Sequence, residues 1–275
     1  MKPAPFSYLR AENLDEALSA LRSHGGEARI LAGGQSLVAM LNMRLAKPAL
    51  LVDIMRVGAL AGIEATGGEL VIGAGIRQAA LLARANLAAE VPLLAAALPW
   101  VGHYQTRARG TVCGSVAHAD PSAEIPLCLV ALGGTIRLRS ARKRRAVPAA
   151  TFFAGTMLTE RADDELIEAI AMPLRRPGTG QAFVEVGRRH GDFAIVACAA
   201  VADANSLRLA VGGVADRPVA RDLPLLDGSA LDDALNDFAW SLEARDDIHA
   251  TARYRRDLVR SLGRTALEEA KRCRN

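Results

Sequence analysis

Two adjacent glycines, Gly33-Gly34, stand where a short buried strand read at Arg29 to Leu31 turns into a helix with Leu37, Met40, Leu41 and Leu45 at helical spacing. No other feature of the chain restricts its fold as much. A buried strand that passes straight into an apolar-striped helix belongs to a mixed α and β architecture. Glycines at such a junction let the backbone turn tightly, and without a Cβ they let it approach a bulky anion. Ser36 reads as the N-cap of the helix, and the free amides of the first turn carry a partial positive charge that suits a pyrophosphate. No Gly-Lys-Ser/Thr follows, so this is not a P-loop, and the spacing is not GxGxxG. Taken alone, the loop also fits a turn in which glycine serves only backbone geometry.

A second segment repeats the chemistry. Arg109-Gly110-Thr111-Val112-Cys113-Gly114-Ser115 is small, hydroxyl-bearing and rich in accessible amides, and His118, Asp120 and Glu124 follow it. Thr106 to Ser115 reads as a loop. Two such loops are able to grip a long, flat, phosphate-bearing cofactor from two sides; two ordinary turns are the other reading. Ser36, Ser115, His118, Asp120 and Glu124 also supply the residue types of a hydrolytic triad, but no GxSxG elbow is present. Cys113 lacks a neighbouring base that would lower its pKa for nucleophilic work.

Elsewhere the pattern stays mixed. Asn13 reads as an N-cap with Glu16 at the capping-box position, Leu14, Leu18 and Leu21 form one helical face, and Gly25 ends the helix. Strands are expected at Leu50 to Ile54, Leu70 to Ile72 and Thr135 to Leu138. Helices are expected around Gln78 to Arg84, Leu93 to Leu98 and Ile125 to Leu132. Pro173, Pro177, Gly178 and Gly180 mark a linker. Beyond it, three strand-like runs (Ala182 to Val186, Ala194 to Val201, Leu207 to Val211) and two helical segments (Leu231 to Leu242, Thr251 to Lys271) predict an α+β unit with a three-stranded sheet.

Composition narrows the function. With 275 residues and 51% hydrophobic content the chain is able to bury a large core. No apolar run reaches the ~20 residues of a membrane helix. The start, Met1-Lys2-Pro3-Ala4-Pro5-Phe6, has no apolar signal-peptide stretch, so a cytoplasmic protein is expected. The net charge of +4 is scattered; the dense cluster Arg142-Lys143-Arg144-Arg145 reads as a solvated loop or strand edge, with a partner-docking patch second. Nucleic-acid binding would need a longer basic face or interleaved aromatics. Cys113, Cys128, Cys198 and Cys273 are far apart, and the five histidines show no metal-ligand spacing, so an iron–sulfur or zinc centre is not expected in this chain.

The motifs resemble a known family. Ala32-Gly33-Gly34-Gln35-Ser36-Leu37, the run Thr106 to Pro121, Arg188-Arg189-His190-Gly191-Asp192-Phe193-Ala194 and Thr251-Ala252-Arg253-Tyr254-Arg255-Arg256 are similar, in order and over nearly the whole chain, to the FAD-binding medium subunits of molybdenum hydroxylases, the carbon monoxide dehydrogenase and xanthine dehydrogenase group. The resemblance implies an α+β fold of the p-cresol methylhydroxylase type: an FAD-binding domain over residues 1–175, with two subdomains split near 55–60, and a smaller C-terminal domain over 176–275. It implies that Ala32, Gly33, Gly34, Gln35, Ser36 and Leu37, with Thr111, Val112, Cys113, Gly114 and Ser115, hold the pyrophosphate and ribityl chain of FAD. Glu124 matches an acidic position that bonds the cofactor, Ile167 an apolar contact, and Asp192 and Phe193 a loop bordering the isoalloxazine. Phe193 as core packing, Glu124 as a helix-start carboxylate and Asp192 as a turn residue are the simpler readings of the same positions. Two departures stand out: some relatives carry Lys at or beside Glu185, and Cys113 occupies a place often taken by Gly.

The implied partners are a large molybdopterin subunit and a small subunit with two [2Fe–2S] clusters, in a dimer of heterotrimers. The chain would pass electrons from those clusters through FAD to an external acceptor. A self-sufficient flavin oxidase related to vanillyl-alcohol oxidase, and a nucleotide-binding module without flavin, are the competing readings.

Overall fold

The computed structural model describes residues 2–274. The N-terminal sheet is parallel, with β1 (Ser7–Arg10), β2 (Ala28–Leu31) and β3 (Leu50–Asp53) in the order β1-β3-β2. Leu50, Leu51 and Val52 are all buried, as a central strand covered on both faces requires. Parallel neighbours need crossovers. Helix Leu14–His24 makes the first, turning Leu14, Ala17, Leu18 and Leu21 inward. It is bounded as expected: the Asn13 side chain accepts the Glu16 amide, and Gly25 takes φ 50°. Helix Leu37–Asn42 makes the second crossover, so β2 and the Gly33-Gly34 turn feed directly into it.

A five-stranded antiparallel sheet follows, comprising β4 (Ile63–Thr66), β5 (Glu69–Gly73), β6 (Thr135–Arg139), β7 (Arg144–Pro148) and, after the short pair β8 (Phe153–Gly155) and β9 (Leu158–Thr159), β10 (Leu166–Pro173). The order is β4-β5-β10-β6-β7, which places the last strand in the middle. Of the Arg142 to Arg145 cluster, Arg144 and Arg145 lie on the edge strand β7, where Arg145 forms a bidentate pair with the fully buried Glu165 at 2.8 Å. Helix Glu124–Ala131 is apolar all round after its first residue and is buried at every position, the state such a helix requires.

The C-terminal sheet corrects the expected strand number. It has four antiparallel strands in sequence order, β11 (Gly180–Val186), β12 (Val196–Ala202), β13 (Ser206–Gly212) and β14 (Val219–Pro224). The sequence reading missed β14 because it is a half-exposed edge strand, Val-Ala-Arg-Asp-Leu-Pro, without an apolar alternation. Helices Gly228–Ser241 and Ala252–Arg272 cover one face through Leu231, Leu235, Val259 and Leu267. The other face packs on helix Glu124–Ala131, with Phe183, Ala197, Ala199 and Ala210 joining the core of the preceding residues. Among the described residues no helix is long and apolar enough to cross a membrane.

Candidate functional site

The two glycine loops are in contact. A Cβ on Gly33 would lie 2.4 Å from the carbonyl oxygen of Arg109, 2.6 Å from Cα of Gly110 and 2.9 Å from the amide nitrogen of Thr111. All three are backbone atoms, so only glycine permits this approach. The second loop is pinned from the other side. The Gln78 amide donates to the Gly110 carbonyl at 2.8 Å and the Val112 amide to Ile76 at 2.9 Å, with an isolated bridge between Arg77 and Thr111. Gly34 adopts φ 73°, the left-handed region that lets β2 turn into the helix.

Expectation and structure part at two places here. Ser36 stands at the N-cap position of the helix as expected, but its backbone is already helical and its hydroxyl makes no cap bond; the Gly34 carbonyl accepts the Val38 amide. The segment Thr106 to Ser115 is not a loop. It belongs to two short helices, Tyr104–Arg109 and Val112–His118, hinged at Gly110-Thr111. Buried Thr111 caps the second by accepting the Gly114 amide at 3.1 Å.

Both loops open onto one cleft of about 840 Å³. Ala32, Gly33, Gly34, Gln35, Ser36, Leu37, Thr111, Cys113, Gly114, Ser115, Glu124, Ile167, Asp192 and Phe193 all line it. Val112 does not: its side chain is fully buried in the core. Cys113 lines the cleft with its thiol donating to the Ile72 carbonyl, and burial pushes its pKa up to about 12, so it is no nucleophile. Among the described residues no hydrogen bond joins Ser36 or Ser115 to His118, so a triad is not assembled.

Three elements complete the walls. Ile167 sits at a bulge in β10, where the register to β6 shifts between Ile167 and Ala169, a device that re-aims side chains. Asp192 and Phe193 arrive on the turn between β11 and β12. Gly191 is seated against Gly102 and His103, the His190 ring lies 4.7 Å from that of Trp100, and buried Arg255 holds the carbonyls of Ile195 and Gly213. Phe193 is 66% exposed, which excludes the core-packing reading. Glu124, at the start of its helix, is buried, and desolvation raises its pKa to about 7.

Sequence reasoning missed other lining groups. Gln78 is buried, and its Oε1 has no donor among the described residues. Nothing in the local sequence marks it. Arg29 and Arg161 also line the cleft, where burial and the Arg29 charge lower the Arg161 pKa. Arg29 lies on β2, four residues before Gly33, a proximity that would have suggested it.

The arrangement fits a dinucleotide. The backbone amides of Gly33 to Leu37 donate to no acceptor among the described residues, a cradle for a diphosphate. Gln78 also lines the cleft, and its buried Oε1 accepts no hydrogen bond among the described residues.

Comparison with known proteins agrees with this geometry. The family described as the FAD binding domain in molybdopterin dehydrogenase matches residues 4–175, and that described as the CO dehydrogenase flavoprotein C-terminal domain matches residues 181–270. The chain is 34% identical to the 6-hydroxypseudooxynicotine dehydrogenase complex subunit alpha of Paenarthrobacter nicotinovorans, over 98% of this chain and 96% of that one. It is 35% identical to the nicotine 6-hydroxylase medium subunit of the same organism, over 98% and 99%. A solved structure of carbon monoxide dehydrogenase from Hydrogenophaga pseudoflava superposes with a TM-score of 0.92 at 31% identity, covering 99% of this chain and 100% of that one. This chain belongs to the family of FAD-binding medium subunits of molybdenum-dependent hydroxylase and dehydrogenase complexes.

Proposed function

We propose that the cleft between the two glycine loops seats the FAD through which this subunit relays electrons. The carrying observation is the Gly33 contact, which brings the two glycine loops onto one cavity, with the amides of Gly33 to Leu37 undonated. In this reading the amides of Gly33 to Leu37 and the helix start after Thr111 bind the diphosphate. Gln78 and Glu124 offer polar contacts along the chain of the cofactor, and Ile167 supplies an apolar one. Asp192 and Phe193 border the flavin ring and restrict water at its edge. FAD supplies the redox chemistry; the protein binds, orients and tunes it.

Electrons reach the subunit from a small [2Fe–2S] subunit, which is reduced by a large molybdopterin subunit where substrate is oxidised, and leave to an external acceptor. The assembly is a dimer of heterotrimers in the cytoplasm, and the chain divides into an FAD-binding domain over 1–175, itself split near 55–60, and a C-terminal domain over 176–275. A self-sufficient oxidase of the vanillyl-alcohol oxidase type is disfavoured by the family to which the chain belongs. The test is to purify the chain alone and with its partners. The isolated chain should retain FAD yet leave that flavin oxidised when substrate is added, whereas the complex should reduce it. Flavin reduction by substrate in the isolated chain would contradict the relay.

A further inference from the structure

The turn between β11 and β12 is anchored by its own sheet at the base. There the Ile195 amide donates to the Val186 carbonyl at 2.8 Å, and Nη1 of Arg255 donates to the Ile195 carbonyl at 2.7 Å. At the tip, the Asp192 amide donates to the Arg189 carbonyl at 3.1 Å, and Arg188 stands 3.9 Å from the Asp192 carboxylate. Both of these contacts are internal to the turn, and an exposed ion pair adds little. Outside itself the tip rests on residues 100–103. The His190 ring lies 4.7 Å from that of Trp100, and a Cβ on Gly191 would come within 2.6 Å of the His103 ring and 2.7 Å of the Gly102 carbonyl oxygen. Gly191 takes φ 87°, so both its backbone angle and this close approach favour glycine.

Residues 99–102 are in turn held by one side chain. Nη1 of Arg107 donates to the carbonyls of Pro99 at 3.3 Å, Val101 at 3.0 Å and Gly102 at 2.8 Å. Among the described residues no carboxylate forms a salt bridge with Arg107, so its half-buried charge is directed at backbone carbonyls. A charged donor makes stronger bonds of this kind than a neutral one. The Gly102 carbonyl is common to both contacts: it accepts from Arg107 and it faces Gly191. Gly191 is followed directly by Asp192 and Phe193. All three line the cleft, and Arg107 does not.

We propose that Arg107 is a positioning residue for the cover of the cleft: by fixing the Gly102 carbonyl it seats Gly191, and through Gly191 it holds Asp192 and Phe193 at the cleft. The inference rests on reading the cleft as the FAD site. In that reading, solvent access to the flavin ring is set by the segment before the second glycine loop, at least as much as by the sheet that carries the turn. Without Arg107 the three carbonyls lose their shared donor, the seat under Gly191 moves, and the tip opens while its base stays anchored. Gly191→Ala attacks the same contact from the other side, because its Cβ meets a backbone oxygen that has no freedom to swing away.

The test measures backbone hydrogen exchange of the full chain without FAD, and acrylamide quenching of flavin fluorescence with FAD bound. The proteins are wild type, Arg107→Ala, Arg107→Lys, Gly191→Ala and Arg145→Ala, the last a control that loses a buried pair elsewhere in the chain. In Arg107→Ala and Gly191→Ala the Asp192 amide should exchange about ten-fold or more faster than in wild type, the effect of losing a charge-assisted hydrogen bond. The Ile195 amide, at the anchored base, should stay within about two-fold. Arg107→Lys should fall between wild type and Arg107→Ala, since one ammonium still reaches part of the carbonyl set. Flavin quenching should rise in the same order, and Arg145→Ala should match wild type in both measurements. Wild-type Asp192 exchange in Gly191→Ala or in a folded Arg107→Ala overturns the proposal. So does equal acceleration in Arg145→Ala, or faster exchange with unchanged flavin quenching. A wild-type chain that binds no FAD would instead refute the cofactor reading, and the exchange data would then decide the Arg107 contact alone.

Discussion

Replacing Gly33 with alanine is the sharpest local perturbation of the site. The new methyl carbon would sit 2.4 Å from the Arg109 carbonyl oxygen and 2.6 Å from Cα of Gly110, against an ordinary contact of 3.4 Å or more. The two loops must therefore separate by roughly 1 Å, since none of the clashing atoms belongs to a flexible side chain. That movement strains the Gln78-to-Gly110 and Val112-to-Ile76 hydrogen bonds, now 2.8 and 2.9 Å long. Each bond contributes about 0.5–1.5 kcal/mol, and forced overpacking costs about 1–3 kcal/mol, so a loss of roughly 1–3 kcal/mol follows. For a chain of this size that is a Tm decrease of roughly 3–10 °C in thermal denaturation followed by circular dichroism. FAD affinity should fall by roughly ten-fold or more, because the amides of both loops lose their common register. Gly62→Ala is the control, since a Cβ there meets nothing within 4 Å and its φ is not positive. A Gly33→Ala protein that matches Gly62→Ala in Tm and FAD affinity would refute the argument.

Further outcomes are specific to other parts of the fold. Arg145→Ala should destabilise the chain by about 1.5–3 kcal/mol in urea unfolding at pH 7, because buried Glu165 loses its bidentate partner and keeps only Lys143 at 3.6 Å and the Ala162 amide. Arg145 holds the Glu165 carboxyl near 2, so wild-type stability from this pair is present above pH about 4.5 and lost as pH falls toward 2. The variant should show a shallower acid limb. Glu185, raised to about 8, has the opposite sign: its contribution is intact below pH about 4.5 and falls away as pH rises through 8, so Glu185→Gln should gain stability over wild type at pH 9. Phe193→Ala should change stability by less than about 0.5 kcal/mol, because the ring is exposed, while making bound flavin more accessible to an iodide quencher. A Tm loss of many degrees would return Phe193 to the core.

The parts of the fold that were legible in the sequence are those whose signal is local. Helix Leu14–His24 shows its apolar stripe, its Asn13 cap and its Gly25 stop within a dozen residues. The Gly33-Gly34 turn is equally self-contained. The central strand β10 escaped detection, because Leu-Ile-Glu-Ala-Ile-Ala-Met-Pro interrupts its apolar run with Glu168 at the bulge and ends in proline. Small residues hid helix Val112–His118, since Gly114 and Ser115 read as loop formers until the Thr111 cap is seen. Within the site, the two loops were readable but their contact was not. It depends on the Ile76–Gln78 segment holding Gly110 and Val112, a pairing more than thirty residues apart. Gln78 was invisible as part of the cleft for the same reason: burial decides its chemistry, and burial is a property of the assembled sheets.

The most direct measurement is an experimental structure of the chain, alone or within its complex, with FAD bound. The account predicts one FAD per chain, with diphosphate oxygens about 3 Å from amide nitrogens of both Gly33 to Leu37 and Thr111 to Ser115. A diphosphate held away from either loop, or an FAD bound outside this cleft, would contradict it.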